Sequence, residues 1–157
     1  AFARRSADVK FIGFYGQFLN RDGDYEGNFN RGVNNYIAGL SSGNIKKITF
    51  TRVDQPYVRE ARTATSKTFG LGQLRELYNV TVSMYGNTLV KPGQIVYVEA
   101  NPMIFGRPMD PNSAAAILGM GGYQLVTEVN NELSQEGWTT TVKALHVAWP
   151  VKGKSAS

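Results

Sequence analysis

The chain has 157 residues, 42% hydrophobic and 11% aromatic, which supplies a buried core for one domain and excludes global disorder. Its net charge of +5 permits weak attraction to anionic surfaces. The basic residues are scattered, however (Arg4, Arg5, Lys46, Lys47, Arg52, Arg59, Arg62, Lys67, Lys152 and Lys154 among them), so no nucleic-acid-binding arm is formed.

Cysteine is absent and His146 is the single histidine, which removes disulfide frameworks, thiolate metal sites and most nucleophile–base triads. Charged residues are only 18%, and 17 glycines accompany many Asn, Ser and Thr, a balance that fits a turn-rich β protein with large uncharged polar surfaces. No apolar run approaches the ~20 residues of a membrane-spanning helix, and no signal-peptide pattern is seen at the start. The chain begins at Ala1, which points to processing or to a segment of a longer polypeptide.

In chain order, residues 9–15 form a short apolar run suited to a strand, weakened by Gly13. Residues 20–43 are rich in Asn, Gly, Asp and Ser, with Tyr25, Phe29 and Tyr36 between them. That composition reads as a long loop or extended arm docking its aromatics on another surface. Residues 45–53 alternate as a strand, with Ile48 and Phe50 on one face and Lys47, Thr49 and Thr51 on the other. Residues 57–62, after Pro56, and residues 73–77 are short helical candidates.

From Leu77 to Leu145 the pattern is that of a small barrel or split barrel. Tyr78–Tyr85 alternates, with Tyr78, Val80, Val82 and Met84 on one face. Gly86-Asn87 ends it, and Lys91-Pro92-Gly93 is a turn with Pro and Gly at the positions whose φ they favour. Residues 94–99 are apolar without alternation, so this strand is expected to be buried on both faces and antiparallel to Tyr78–Tyr85. Residues 101–112 carry Pro102, Pro108 and Pro111 and are expected to be irregular. A short helix follows over 113–118, capped by Asn112 or Ser113 and ended by Gly119. Two strands close the pattern. In 123–130, Tyr123, Leu125, Thr127 and Val129 share a face; in 138–147, Trp138, Thr140, Val142 and Ala144 do.

No chemistry-bearing group stands out. His146 has no nearby carboxylate in sequence and reads as a packed or edge residue. Asp22, Asp24 and Glu26 have the odd-even spacing of a calcium loop, but the twelfth position is Val33, where a bidentate acid is required. Glu60, Glu76, Glu99 and Asp110 are available carboxylates, with ion pairing or solvation as the plainer role. Gly119-Met120-Gly121-Gly122 precedes a strand, the reverse of a phosphate-binding loop, and reads as a tight turn. Tyr78, Tyr85, Tyr97 and Tyr123 would be the stacking platforms of an OB-like module for single-stranded nucleic acid or glycan. The faces of Tyr78 and Tyr97 point to core positions instead. No catalytic, cofactor-binding or metal-binding residues are assigned.

The run Gly70-Leu71-Gly72-Gln73-Leu74-Arg75-Glu76-Leu77-Tyr78, with Gly86-Asn87, Lys91-Pro92-Gly93-Gln94 and Val96-Tyr97-Val98, resembles the hub proteins of bacteriophage tails. So do Gly121-Gly122-Tyr123 with the strand it opens, and the later Gly137-Trp138-Thr139-Thr140-Thr141-Val142. The resemblance covers about residues 67–149. It implies a β-barrel hub domain of the baseplate or tail tip, usually trimeric, joining tube to spike or central fibre without catalysis of its own. The expected chain is therefore mainly β: a small antiparallel barrel or split barrel with short helices and an extended N-terminal arm. The expected divisions are an arm with the first strand or strands (1–66), a hub-like barrel (67–149) and a basic tail (150–157). Copies of itself in a ring and other tail proteins are the expected partners, the virion its location after assembly in the host cytoplasm, and no cofactor is expected.

Overall fold

A computed structural model describes residues 23–39, 44–53 and 76–150 of the chain. The expected strand over 9–15, the helical candidate over 57–62 and the basic tail from Val151 lie outside the described residues, as do residues 73–75 of the second helical candidate; Glu76 and Leu77 are not helical. The elements are α1 (Tyr25–Asn30), β1 (Asn34–Ile37), β2 (Ile45–Arg52), β3 (Tyr78–Tyr85), β4 (Ile95–Glu99), α2 (Pro102–Phe105), α3 (Ala114–Leu118), β5 (Gly122–Ser134) and β6 (Gly137–Ala148). The fold is mainly β, with few short helices, and its six strands form one curled, half-barrel sheet in the order β1-β4-β5-β6-β3-β2.

Chain connectivity enforces the curl. β1 and β2 stand at opposite edges of the sheet, yet only eight Cα steps separate Ile37 from Ile45. Eight steps reach at most about 29 Å. A flat sheet of six strands would set its outer strands about 24 Å apart sideways. Because β1 and β2 run in the same direction, the link must also travel back along the strands. Only a curled sheet brings the two edges within reach.

The concave face holds the larger core. Tyr36 of β1, Val80, Val82 and Met84 of β3, Val96 and Val98 of β4, Val126 of β5, and Val142 and Ala144 of β6 are buried there, with Ile45, Ile48 and Phe50 of β2 packed against them. The alternation expected for β2, β3 and β6 is present. β4 is buried at all five positions, as its unbroken apolar run predicts. Val96 and Val98 face the first core, while Ile95 and Tyr97 face a second, formed with Val33, Tyr123 and Ala148 and joined by Tyr25 of α1.

Four expectations need correction. β3 and β4 are not neighbours: β5 and β6 stand between them. The Pro-Gly turn docks elsewhere, Gly93 N donating to Val126 O at 2.7 Å, so it delivers β4 to the side of β5 instead of folding it back on β3. The alternation expected along β5 is interrupted by a register shift between Val126 and Glu128. The extra residue lets both Val126 and Val129 reach the first core. The Pro-rich stretch contains a one-turn helix, because Pro102 occupies the first turn, where no N–H is needed, and Asn101 caps it. Finally, the described part of the expected arm is α1 and β1. Asp24 caps the helix and Asn28 makes its buried turn, while β1 pairs in parallel with β4. Polar composition was misleading here because the Asn side chains bond within the fold. β2 in turn pairs with β3.

Ser113 caps α3 through Ala116 N at 3.0 Å, and Gly119 ends it at φ 80°. Gly86 is set by close approach: a Cβ there would lie 1.9 Å from the Trp138 indole. Gly86→Ala is expected to destabilise the protein by about 2 kcal/mol. In a Trp138→Ala background the added cost should largely vanish, and urea unfolding of the four proteins in this double-mutant cycle checks it.

Candidate functional site

The one carboxylate buried in the described fold is Glu99, at the end of β4, and the polar groups around it bind α1 and β1 to the sheet. It accepts from the hydroxyl of Tyr25, from the Tyr97 hydroxyl at 3.0 Å and from Arg107 Nε at 3.5 Å. Its backbone carbonyl accepts from Ala38 N at 3.1 Å, closing the β1–β4 ladder. A buried carboxylate requires several such donors and a counter-charge, and this one has both.

Arg107 reaches the carboxylate from the loop between α2 and α3. Ser113 Oγ lies 2.7 Å from the Arg107 carbonyl and fixes that loop. The guanidinium lies 4.2 Å above the Tyr25 ring, and its Nη2 donates to Gly23 O at 3.1 Å. Beside it the Tyr97 and Tyr123 rings pack 5.0 Å apart. Tyr123 then donates to Asn28 Oδ1 at 2.7 Å; Asn28 Nδ2 donates to Asn35 Oδ1 at 2.9 Å; Asn35 Nδ2 donates to Tyr25 O at 3.1 Å. The network therefore runs from α1 through β1, β4 and β5 and back.

Burial, then the bond to Glu99 and its charge, pushes the Tyr25 hydroxyl up from 10.0 to about 12. Burial and then the charge of Glu99 push Tyr97 up as well. For Arg107, burial opposes the charge, but Tyr25 and Glu99 outweigh it and the guanidinium is held charged more firmly than usual. The cluster is a closed internal clamp that positions α1.

A second feature lies on the convex side. Lys47, Thr49 and Thr51 of β2 are exposed. In register beside them, Lys47 meets Ser83 and then Thr141, while Thr49 meets Thr81 and then Lys143. Among the described residues β2 pairs with β3 alone and stands at the edge of the sheet. Lys46 bonds Thr139 at 2.7 Å and sits 4.5 Å above the Tyr85 ring, and Lys143 pairs with Glu128 at 3.0 Å. At the end of the β5–β6 hairpin, Leu133 and Trp138 face one another and remain 81% and 41% exposed.

The candidates from sequence fall into place around these features. His146 is packed, its ring 4.4 Å from Trp149 and its Nδ1 3.3 Å from Gln124 Nε2. Asp24 caps α1 by accepting from Gly27 N at 2.9 Å, Glu26 is exposed, and Asp22 lies outside the described residues. Among the described residues no group of three potential metal ligands assembles. Asp110 accepts from Asn112 N at 3.0 Å in a turn, and Glu60 lies outside the described residues. Gly121 has φ 94°, and a Cβ there would meet Val98 O at 2.6 Å, which is the close approach expected of this turn. Of the four tyrosines, Tyr97 and Tyr123 are buried, Tyr78 is half-buried, and Tyr85 is exposed. Arg107, Asn28 and Asn35 were not singled out by sequence. The available signal was Glu99 itself, an acid ending an otherwise apolar strand.

No family model, curated protein or solved structure matches the chain.

Arg107→Ala would leave the buried Glu99 carboxylate without its cation. It is expected to cost about 2 kcal/mol, less than a fully buried pair because the Arg107 side chain is 39% exposed. Chemical denaturation measures it. The raised Tyr25 value also sets a pH dependence. A hydroxyl that holds its proton more tightly when folded favours folding while protonated, so the stability is complete below pH 10.0 and is lost as pH rises towards about 12. Tyr25→Phe should flatten this alkaline loss in unfolding measured between those limits.

Proposed function

We propose that this chain is a structural virion protein of a bacteriophage tail, part of the baseplate or tail-tip hub that joins the tube to the spike or central fibre. It acts through interfaces, without catalysis or cofactor, as copies in a ring, three-fold in the simplest case, that contact other tail proteins. Assembly in the host cytoplasm precedes incorporation in the virion.

The observation that carries this reading is the edge strand β2, which among the described residues pairs on one side only and exposes Lys47, Thr49 and Thr51. An edge strand left unpaired on one side invites pairing with another chain. A cyclic arrangement would satisfy that edge in every copy. The exposed Leu133–Trp138 pair adds an apolar contact of the kind found at interfaces. The motifs behind the hub resemblance are here connectors that shape the half-barrel: Gly86-Asn87 beneath Trp138, Pro92-Gly93 on β5, and Gly121-Gly122 against β4.

Light scattering on the purified chain, with gold-labelled antibody imaged on phage particles, tests the proposal. Ring-sized oligomers and label at the tail tip are expected; a monomer at high concentration and no particle labelling would overturn it. Thr49→Glu with Thr51→Glu, which places charge along the β2 edge, should reduce oligomer formation at least tenfold while leaving the circular dichroism spectrum unchanged.

A further inference from the structure

We propose that residues 23–39 form a strap that detaches from β4 as one unit, and that the slot so bared accepts the same segment of a second copy of this chain. The proposal does not depend on the tail-hub reading. It rests on how the strap is held.

Among the described residues β1 is a parallel edge strand of four residues, from Asn34 to Ile37. Short parallel edge pairing is among the weaker kinds. The strap is fixed instead by discrete sockets. The Glu99 carboxylate takes the Tyr25 hydroxyl, Arg107 takes the Gly23 carbonyl, the Tyr123 hydroxyl takes the Asn28 amide, and the second core takes Val33. Tyr36 is the strap's one member of the first core, which otherwise draws on β2 to β6 and Val90. Releasing the strap thus costs, among the described contacts, the second core, the clamp and Tyr36, while the first-core residues of β2 to β6 keep one another as partners. Opening uncovers the Tyr97 and Tyr123 rings, so the open state is a minor population.

The sockets also define what can replace the strap. A phenol two residues after a carbonyl held by Arg107, an amide three residues further on, and then an apolar residue entering a parallel strand are all required. Gly23, Tyr25, Asn28 and Val33 supply that spacing, and an identical copy supplies it equally. Gly23 is suited to its place: its φ is 74°, and a Cβ there would lie 3.0 Å from Pro150 and 3.1 Å from the Tyr97 hydroxyl. Exchange of an identical element is a low-cost route to association.

Hydrogen exchange read by mass spectrometry on the whole chain tests the first half. Tyr25→Phe removes one donor to a buried carboxylate, and Glu99→Gln removes the charge. Each should speed exchange across residues 33–38 about tenfold or more, with residues 80–84 and 140–144 unchanged. Parallel acceleration of both regions, or no acceleration in Tyr25→Phe, would overturn the strap. For the second half, a fluorescent peptide of residues 23–39 is titrated into the Tyr25→Phe protein. Saturable uptake, lost when the peptide itself carries Asn28→Ala and Tyr25→Ala, is expected; no uptake, or equal uptake of that altered peptide, would overturn the exchange.

Discussion

The burial of one carboxylate organises the half of the sheet around β4. Glu99 has no solvent of its own, so donors must come to it, and each arrives from a different part of the chain. Tyr25 brings α1, Tyr97 comes from β4 itself, and Arg107 brings the loop between two helices. An apolar residue at position 99 would pack in the same space yet specify none of these partners. Whether such an ion pair adds net stability is secondary, because desolvation offsets much of the attraction. What the arrangement supplies is selection: only one placement of α1 and β1 satisfies the carboxylate, the guanidinium and the Asn28–Asn35 pair together.

The other half of the sheet is organised by packing and chain length. Val80, Val82, Val142 and Ala144 interlock across β3 and β6, and the short link between β1 and β2 compels the curl that lets Tyr36 meet the same core. The two halves differ in character. Around β4 both faces are covered, by α1 on one side and the concave core on the other. At β2 the outer face and edge are bare among the described residues.

Much of the strand content was legible in the sequence because burial on one face writes itself as alternation. β2, β3 and β6 show it, and β4 shows the converse, an apolar run for a strand buried on both faces. The turns were legible for a similar reason, since Gly93, Gly119 and Gly121 sit at positive φ, where other residues are strained. Strand order was not legible. Nothing in the residues 86–94 says that the Pro-Gly turn will bond to Val126, and without that contact a hairpin of β3 with β4 is the natural expectation. The clamp was hidden for a different reason. Asn28 and Asn35 look like loop residues until a buried Tyr123 hydroxyl and a helix carbonyl give them partners, and those partners are 95 and 10 residues away in sequence from the atoms they join.

This division bears on what each edge of the sheet could accept. A sheet edge covered on both faces can change partners only by releasing something, whereas an open edge can add a partner at once. β4 is the first kind, with a strap held by sockets of defined chemistry. Among the described residues β2 is the second, with Lys46 and Lys47 along it. Because Lys46 is engaged with Thr139 and the Tyr85 ring, the charge guarding that edge is partly drawn back onto the molecule's own surface. In the proposed assembly, pairing at β2 would need little rearrangement of the fold, while strap exchange at β4 would be conditional on the clamp. Among the described residues one small sheet thus carries a bare edge and a covered one, and the carboxylate of Glu99 is the group that holds the cover in place.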